Sequence, residues 1–208
     1  MSIVSGDIKD KVKLHLGAGS SIIDCWTNVD IISNEARCKK LNRAWDGREL
    51  DLIHDLMEPL PYNDDSVDFI FSEHVLEHFT VKDGLVLLRD WHRVLRPGGR
   101  LRLAIPSIEG ILETYNNPDV LEERCEKTGR KLMPKCKFMN EVFRSYGHLF
   151  MYDYEYLSLV LKTIGFQGIL KHLPKKSNVI ELAGLETRLA GRNSLIESLC
   201  VEAIKPKP

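Results

Sequence analysis

The stretch VDFIFSEHVLEHFTVKDGLVLLRDWHRVLRPGGRLRLAIP, Val67 to Pro106, decides the fold. It begins with a short apolar run, Val67–Ser72, of the kind a strand buried on both faces requires. A helix signal follows. Thr80 and Asp83 form a capping box, with Asp where Glu is more usual, and Leu87, Leu88, Trp91, Val94 and Leu95 recur at the spacing that gathers them on one face. Arg96–Gly99 ends the helix, because proline cannot continue it and glycine accepts the turn. Arg100–Pro106 is apolar again. A strand, a helix and a strand in this order imply a crossover between parallel neighbours.

Upstream, Val12–Leu16, Thr27–Ile32 and Leu50–Asp55 read as further short strands with turn residues behind them. Downstream, Ser107–Gly147 breaks the alternation, with helices expected around Val120–Thr128 and Lys137–Tyr146, each followed by a glycine. Order returns at Asp153, an N-cap, with Leu157, Val160, Leu161 and Ile164 on one face and Gly165 as the stop. Phe166–His172 and Glu197–Ile204 are the last strands. A polar connection containing Gly184, Gly191 and Asn193 separates them, and without a helix between them they are expected to form an antiparallel edge. The expected architecture is α/β: a Rossmann-like, mostly parallel open sheet with helices on both faces and an antiparallel last strand. Residues 1–208 form one domain, with 107–147 as a helical cap insertion.

Bulk properties fit that architecture. A chain of 208 residues can bury a core without staples, and 43% hydrophobic with 28% charged residues is ordinary for a globular protein. The formal net charge of −1 provides no field for nucleic acid or an anionic membrane. The five cysteines lie far apart with no CxxC pair, which fits reduced thiols better than a disulfide framework or a zinc site. No HExxH, nucleophile elbow or kinase set is present, so the sequence assigns no metal. The polar start of the chain is not a signal peptide and no run spans a bilayer, so a cytoplasmic protein is expected.

The loop after the first strand, HLGAGSS (His15–Ser21), marks the ligand site, since open α/β sheets bind ligands beyond the carboxyl ends of their strands. It lacks the spacing and lysine of a P-loop, and the third glycine of a dinucleotide fingerprint is missing. Two carboxylates add to it. Asp30, ending the second strand, can accept from both hydroxyls of a ribose, and Asp55, ending the third, can accept from the adenine amine. Together they describe a pocket for an adenosine without a pyrophosphate, and S-adenosylmethionine is such a ligand.

These residues resemble a family, the class I S-adenosylmethionine-dependent methyltransferases. LHLGAGS resembles its first motif, NVDI its second-strand motif, HDLMEPLPYNDDSVDFIFSEHVLEHF its central stretch, and LRDWHRVLRPGGRLRLAIPS its helix, PGG turn and following strand. More narrowly, NEVFRSYGHLFMYDYEYLSLVLKTIGF resembles small bacterial members linked to surface-polysaccharide synthesis. The resemblance implies that His15, Gly17, Ala18, Gly19, Ser20, Asp30, Asp55, Leu56, Ser72 and Glu73 line the cofactor site. His15 and Ser21 depart from the pattern, which usually has an acidic residue and a third glycine there.

Methyl transfer needs an acceptor on the axis of the departing sulfur, and an alcohol acceptor gains from a nearby base. His74 after the fourth strand and His148 in the cap are the candidate bases. Arg144, Tyr146 and Tyr152 are candidate contacts to a polar, sugar-like or anionic acceptor. The expected activity is O-methylation of a small molecule or glycan precursor, without nucleic acid or membrane partners, and the oligomeric state is unreadable. Two alternatives stand beside it: a non-catalytic S-adenosylmethionine-binding or regulatory protein, favoured by His15, and a nicotinamide-dependent oxidoreductase.

Overall fold

In the computed structural model, which describes residues 11–40, 46–127, 129–187 and 198–208, the sheet has seven strands. They are β1 (Lys13–Leu16), β2 (Thr27–Asp30), β3 (Leu52–Ile53), β4 (Val67–Glu73), β5 (Leu95–Pro106), β6 (Gln167–His172) and β7 (Ser198–Ile204), in the order β3-β2-β1-β4-β5-β7-β6. The first five run parallel, and β7 is antiparallel to both of its neighbours. The final strand thus slots inside the sheet and leaves β6 at the edge. The expected connection at Gly191 and Asn193, the first residue of the expected last strand (Glu197) and the end of a cap helix at Thr128 lie outside the described residues.

β1 pairs with β2 on one side and β4 on the other, so the strand order reverses there. A ligand crevice opens beyond the carboxyl ends at such a point. α1 (Asn34–Lys40) follows β2, and α2 (Val81–Val94) links β4 to β5. The N-cap half of the expected capping box is formed at α2: the Thr80 hydroxyl accepts from the Asp83 N–H at 3.2 Å, while the Asp83 carboxylate accepts from the Thr80 hydroxyl at 2.7 Å. Its buried face is Gly84, Leu87, Leu88, Trp91 and Val94. α6 (Tyr154–Ile164) starts at Asp153, whose carboxylate accepts from the Tyr156 N–H at 2.7 Å, and ends at Gly165 with φ +118°.

Strand residues alternate between two apolar clusters, as a period of two requires. Leu14, Leu16, Ile70, Leu101 and Leu103 face α2 and α6 in the larger one. Phe69, Phe71, Ala104 and Cys200 face the other way, under Trp26, Leu182 and Leu185.

Between β5 and α6 the structure has more helix than the sequence predicts. α3 (Ile108–Asn116) was not expected; its cap is Ser107, whose hydroxyl accepts from the Gly110 N–H at 3.1 Å. α4 (Pro118–Lys127) and α5 (Lys135–Asn140) correspond to the two expected helices, and a π-turn over Glu141–Ser145 extends the second. Ile111, Leu121, Cys125, Phe138, Val142 and Met151 give this segment a small core of its own.

His92, on α2, packs edge-on to the Phe166 ring, 4.8 Å between centroids. Burial, and then the neighbouring Lys205, hold its imidazole below the ordinary histidine value, with Asp65 pulling weakly the other way. The unfolded chain therefore takes up a proton that the folded chain resists. This contribution to stability is intact above about pH 6.5 and is lost as the pH falls through that value. His92→Gln is expected to narrow the drop in Tm between about pH 7.5 and about pH 5.5; an unchanged drop would mean that other groups govern it.

Candidate active site

A cleft of about 350 Å³ lies at the reversal point, lined by residues that follow the ends of β1, β2, β3 and β4: Gly17, Asp30, Asp55, Leu56 and His74, with Arg37 from α1 and His78. Five of the residues singled out from the sequence therefore meet in one place.

The first wall is the glycine loop. Gly17 has φ +73°, and a Cβ placed on it would lie 2.1 Å from the Val75 side chain. The Gly17 and Ala18 N–H groups donate to the Val29 carbonyl at 2.9 and 3.0 Å, which turns the chain back over β2. Gly17→Ala combines a left-handed backbone with a clash, a cost of roughly 2–4 kcal/mol. Its expected outcome is a lower Tm and loss of thermal stabilisation by added S-adenosylmethionine; a wild-type response would show the turn to be unimportant.

The second wall is Asp30, nearly buried at the end of β2. One carboxylate oxygen accepts from the Gly19 N–H at 2.8 Å; the other accepts from the Ile31 N–H at 2.7 Å and pairs with the Arg37 guanidinium. Asp30 thus fixes the loop and faces the cleft at once. Asp55 is exposed, and one of its oxygens caps the Met57 N–H at 3.0 Å.

His74 has φ +55°, a left-handed conformation that a non-glycine residue adopts only when its surroundings impose it. Here the Ala104 carbonyl accepts its N–H at 2.8 Å, and its Nδ1 lies 3.0 Å from the buried Glu77 carboxylate. A carboxylate accepts, so Nδ1 carries a proton, and in the neutral imidazole Nε2 is the acceptor.

Other residues picked from the sequence lie elsewhere. His15 is 1% exposed, 3.1 Å from the Asn28 side-chain oxygen and stacked on Phe71. Its side chain belongs to the sheet face opposite Leu14 and Leu16, not to the cleft. The Glu73 carboxylate is engaged by the Thr187 N–H at 3.0 Å and the Thr187 hydroxyl at 2.8 Å. Ala18 and Ser72 are buried, while Gly19 and Ser20 belong to the loop without lining the cleft. Tyr152 is a core residue, 2% exposed among Phe150 and Tyr156, and burial pushes its phenol up to about 12. His148 is half-buried, with Nδ1 2.6 Å from the Val142 carbonyl and Nε2 3.9 Å from Glu77. Arg144 and Tyr146 are exposed at the end of the Glu141–Ser145 turn, and the Tyr146 hydroxyl accepts from Arg130 at 2.5 Å. Arg37 was not foreseen, whereas SEHVLEHF (Ser72–Phe79) singles out Glu77 and His78 beside His74, as cofactor-end or loop-fixing residues. Only the position of Glu77, three residues after His74, hinted at the pairing of those two.

The loop suits a nucleoside without a pyrophosphate. The connection between β1 and β2 contains no helix, so no helix N-terminus supplies the N–H groups and dipole that a dinucleotide uses.

Residues 14–103 match a family model described as a methyltransferase domain. No curated protein matches the chain. Among solved structures the fold is similar to a S-adenosylmethionine-dependent methyltransferase from Archaeoglobus fulgidus (15% identity, TM-score 0.56, covering 94% of this chain and 86% of that one). A second such methyltransferase, from Thermotoga maritima, aligns at 16% identity and TM-score 0.55, over 95% and 83% of the two chains. A phosphoethanolamine N-methyltransferase from Haemonchus contortus, in complex with phosphomonomethylethanolamine and S-adenosylhomocysteine, aligns at 14% identity and TM-score 0.56, over 97% of this chain and 50% of that one.

Proposed function

We propose that the chain, whose residues 14–103 match a methyltransferase domain, is an S-adenosylmethionine-dependent methyltransferase that methylates a hydroxyl of a small or sugar-linked acceptor, with His74 as the base. The observation that carries the reading is the His74–Glu77 pair at 3.0 Å beside the cleft that Gly17, Asp30 and Asp55 also line.

In this reading Asp30 and the backbone at Gly17 hold the ribose and methionine portion, while Asp55 and Leu56 receive the adenine. The bound cofactor supplies a methyl group already activated on a sulfonium. The protein's work is then placement of the acceptor and removal of one proton. Glu77 holds the proton on His74 Nδ1, leaving Nε2 to accept the hydroxyl proton as the oxygen–carbon bond forms and the sulfur–carbon bond breaks.

The 107–147 cap is the proposed acceptor cover. Ring contacts run from His78 in the cleft to His148 at 5.0 Å and on to Tyr146 at 5.8 Å. Tyr146 also borders a depression of about 520 Å³ with Arg130, Lys131 and Lys137, cations suited to the phosphates of a nucleotide-linked sugar. Among the described residues no helix is long and apolar enough to cross a membrane.

The test is incubation with S-adenosylmethionine and a panel of nucleotide-linked sugars and simple alcohols, following S-adenosylhomocysteine and the product's mass. The expected product carries an O-methyl group, and His74→Ala lowers kcat by about 100-fold or more. A product methylated on nitrogen or carbon, or full activity in that variant, overturns the reading.

A further inference from the structure

We propose that Glu77, His78 and His148 form a binding site for a divalent transition-metal ion, with zinc the best match, where the cap meets the cleft. One ligating atom from each residue lies within 4.8 Å of the others. Zinc bonds of ~2.0 Å at tetrahedral angles set such atoms about 3.3 Å apart, so closure needs an approach of at most about 1.5 Å.

Glu77 is 1% exposed. One of its oxygens accepts from His74, while the other is buried with no hydrogen-bond partner among the described residues. A buried anionic oxygen without a donor is costly, and a cation is a partner that removes the cost.

The two histidines are oriented as ligands. His148 Nδ1 is 2.6 Å from the Val142 carbonyl, and His78 Nδ1 is 3.3 Å from the Gly147 carbonyl. A carbonyl only accepts, so in each ring Nδ1 carries the proton and Nε2 holds the lone pair. Anchoring of the distal N–H to an acceptor is the usual arrangement around metal-ligating histidines. His148 Nε2 then faces Glu77 Oε1 at 3.9 Å.

The backbone keeps the parts together. The Leu149 and Phe150 N–H groups donate to the Glu77 carbonyl at 2.7 and 3.2 Å, tying the His148 strap to the Leu76–His78 turn. Two neutral imidazoles and one carboxylate make a zinc set that leaves a coordination position open, whereas magnesium and calcium favour oxygen-rich shells. His78 also lines the cleft, so the open position suits an acceptor oxygen. That last use rests on the hydroxyl-acceptor reading; the metal site does not.

The experiment is titration of chelator-treated protein with zinc and with cobalt(II), read by metal analysis after dialysis and by visible absorption. The expected result is one equivalent of zinc retained, a cobalt spectrum without a thiolate charge-transfer band, and at least about tenfold weaker binding in both His148→Gln and His78→Ala. Cys136→Ser, at an exposed thiol outside the cluster, leaves binding unchanged. Failure of the wild type to retain zinc, a thiolate band, or full affinity in either folded histidine variant overturns the proposal. Because the readout is binding, a different methylated atom would sink the acceptor reading and leave this one standing.

Discussion

Asp30→Ala is expected to weaken S-adenosylmethionine binding by about 100-fold or more, measured by calorimetry. Hydrogen bonds to a charged group contribute about 1.5–3 kcal/mol each, and the proposed ribose contact would use two. The same carboxylate also accepts from the Gly19 and Ile31 N–H groups and pairs with Arg37, so alanine removes the strut of the loop together with the ligand contact. Asp30→Asn separates the two. Its side-chain oxygen can still accept from Gly19, but its amide cannot accept from Ile31 or attract Arg37, so the loop is partly held while the paired acceptors are lost. The expected order of affinity is wild type, then Asp30→Asn, then Asp30→Ala. Affinity within about threefold of wild type for Asp30→Ala would move the ribose site elsewhere, since RT ln 3 is only about 0.6 kcal/mol.

The place of Asp30 at the cleft was legible in the sequence because it follows from chain position: a strand ends, and its last residue faces the crevice. The same holds for Gly17, and for α2, whose capping box and apolar stripe are local signals. His15 and Glu73 lie outside the lining of the cleft for a related reason. Motif position put them at the ligand, but side-chain parity decides which way a strand residue faces. His15, between Leu14 and Leu16, turns away from the α2 face, and Glu73 meets Thr187, more than a hundred residues on. Arg37 gave no warning, because a cation on a short helix has no pattern that names its partner. The grouping of Glu77 and His78 with His148 was equally hidden, since it depends on backbone hydrogen bonds joining segments some 70 residues apart. The interior place of β7 has the same origin: an antiparallel strand pattern reads alike whether it ends a sheet or enters it.

Arg102→Met is expected to cost about 3–5 kcal/mol, as when one partner of a buried ion pair is removed. Arg102 is fully buried and stands directly opposite Glu202 in the β5–β7 ladder. Its guanidinium donates to Glu202 and to Glu186 at 2.6 Å each, and the second Glu186 oxygen accepts from the Lys175 N–H at 2.6 Å. Methionine fills much of the volume but leaves two carboxylates in an apolar face beside Cys200, whose thiol burial already pushes up to about 12. For a domain of this size the expected fall in Tm is about 10 °C. The origin of the loss can be checked by pH. Two buried carboxylates left without their cation favour the uncharged form, so the folded variant gains stability relative to wild type as the pH falls. The deficit relative to wild type therefore narrows toward about pH 5, and Arg102→Met combined with Glu186→Gln and Glu202→Gln recovers part of it at neutral pH. A loss below about 1 kcal/mol, or one indifferent to pH, would mean that the triad is hydrated or dispensable. The effect should reach the cleft as well: Glu186 adjoins Thr187, which holds Glu73 immediately before His74. A variant that folds but has lost Arg102 is therefore expected to place His74 less well, lowering kcat more than it raises KM.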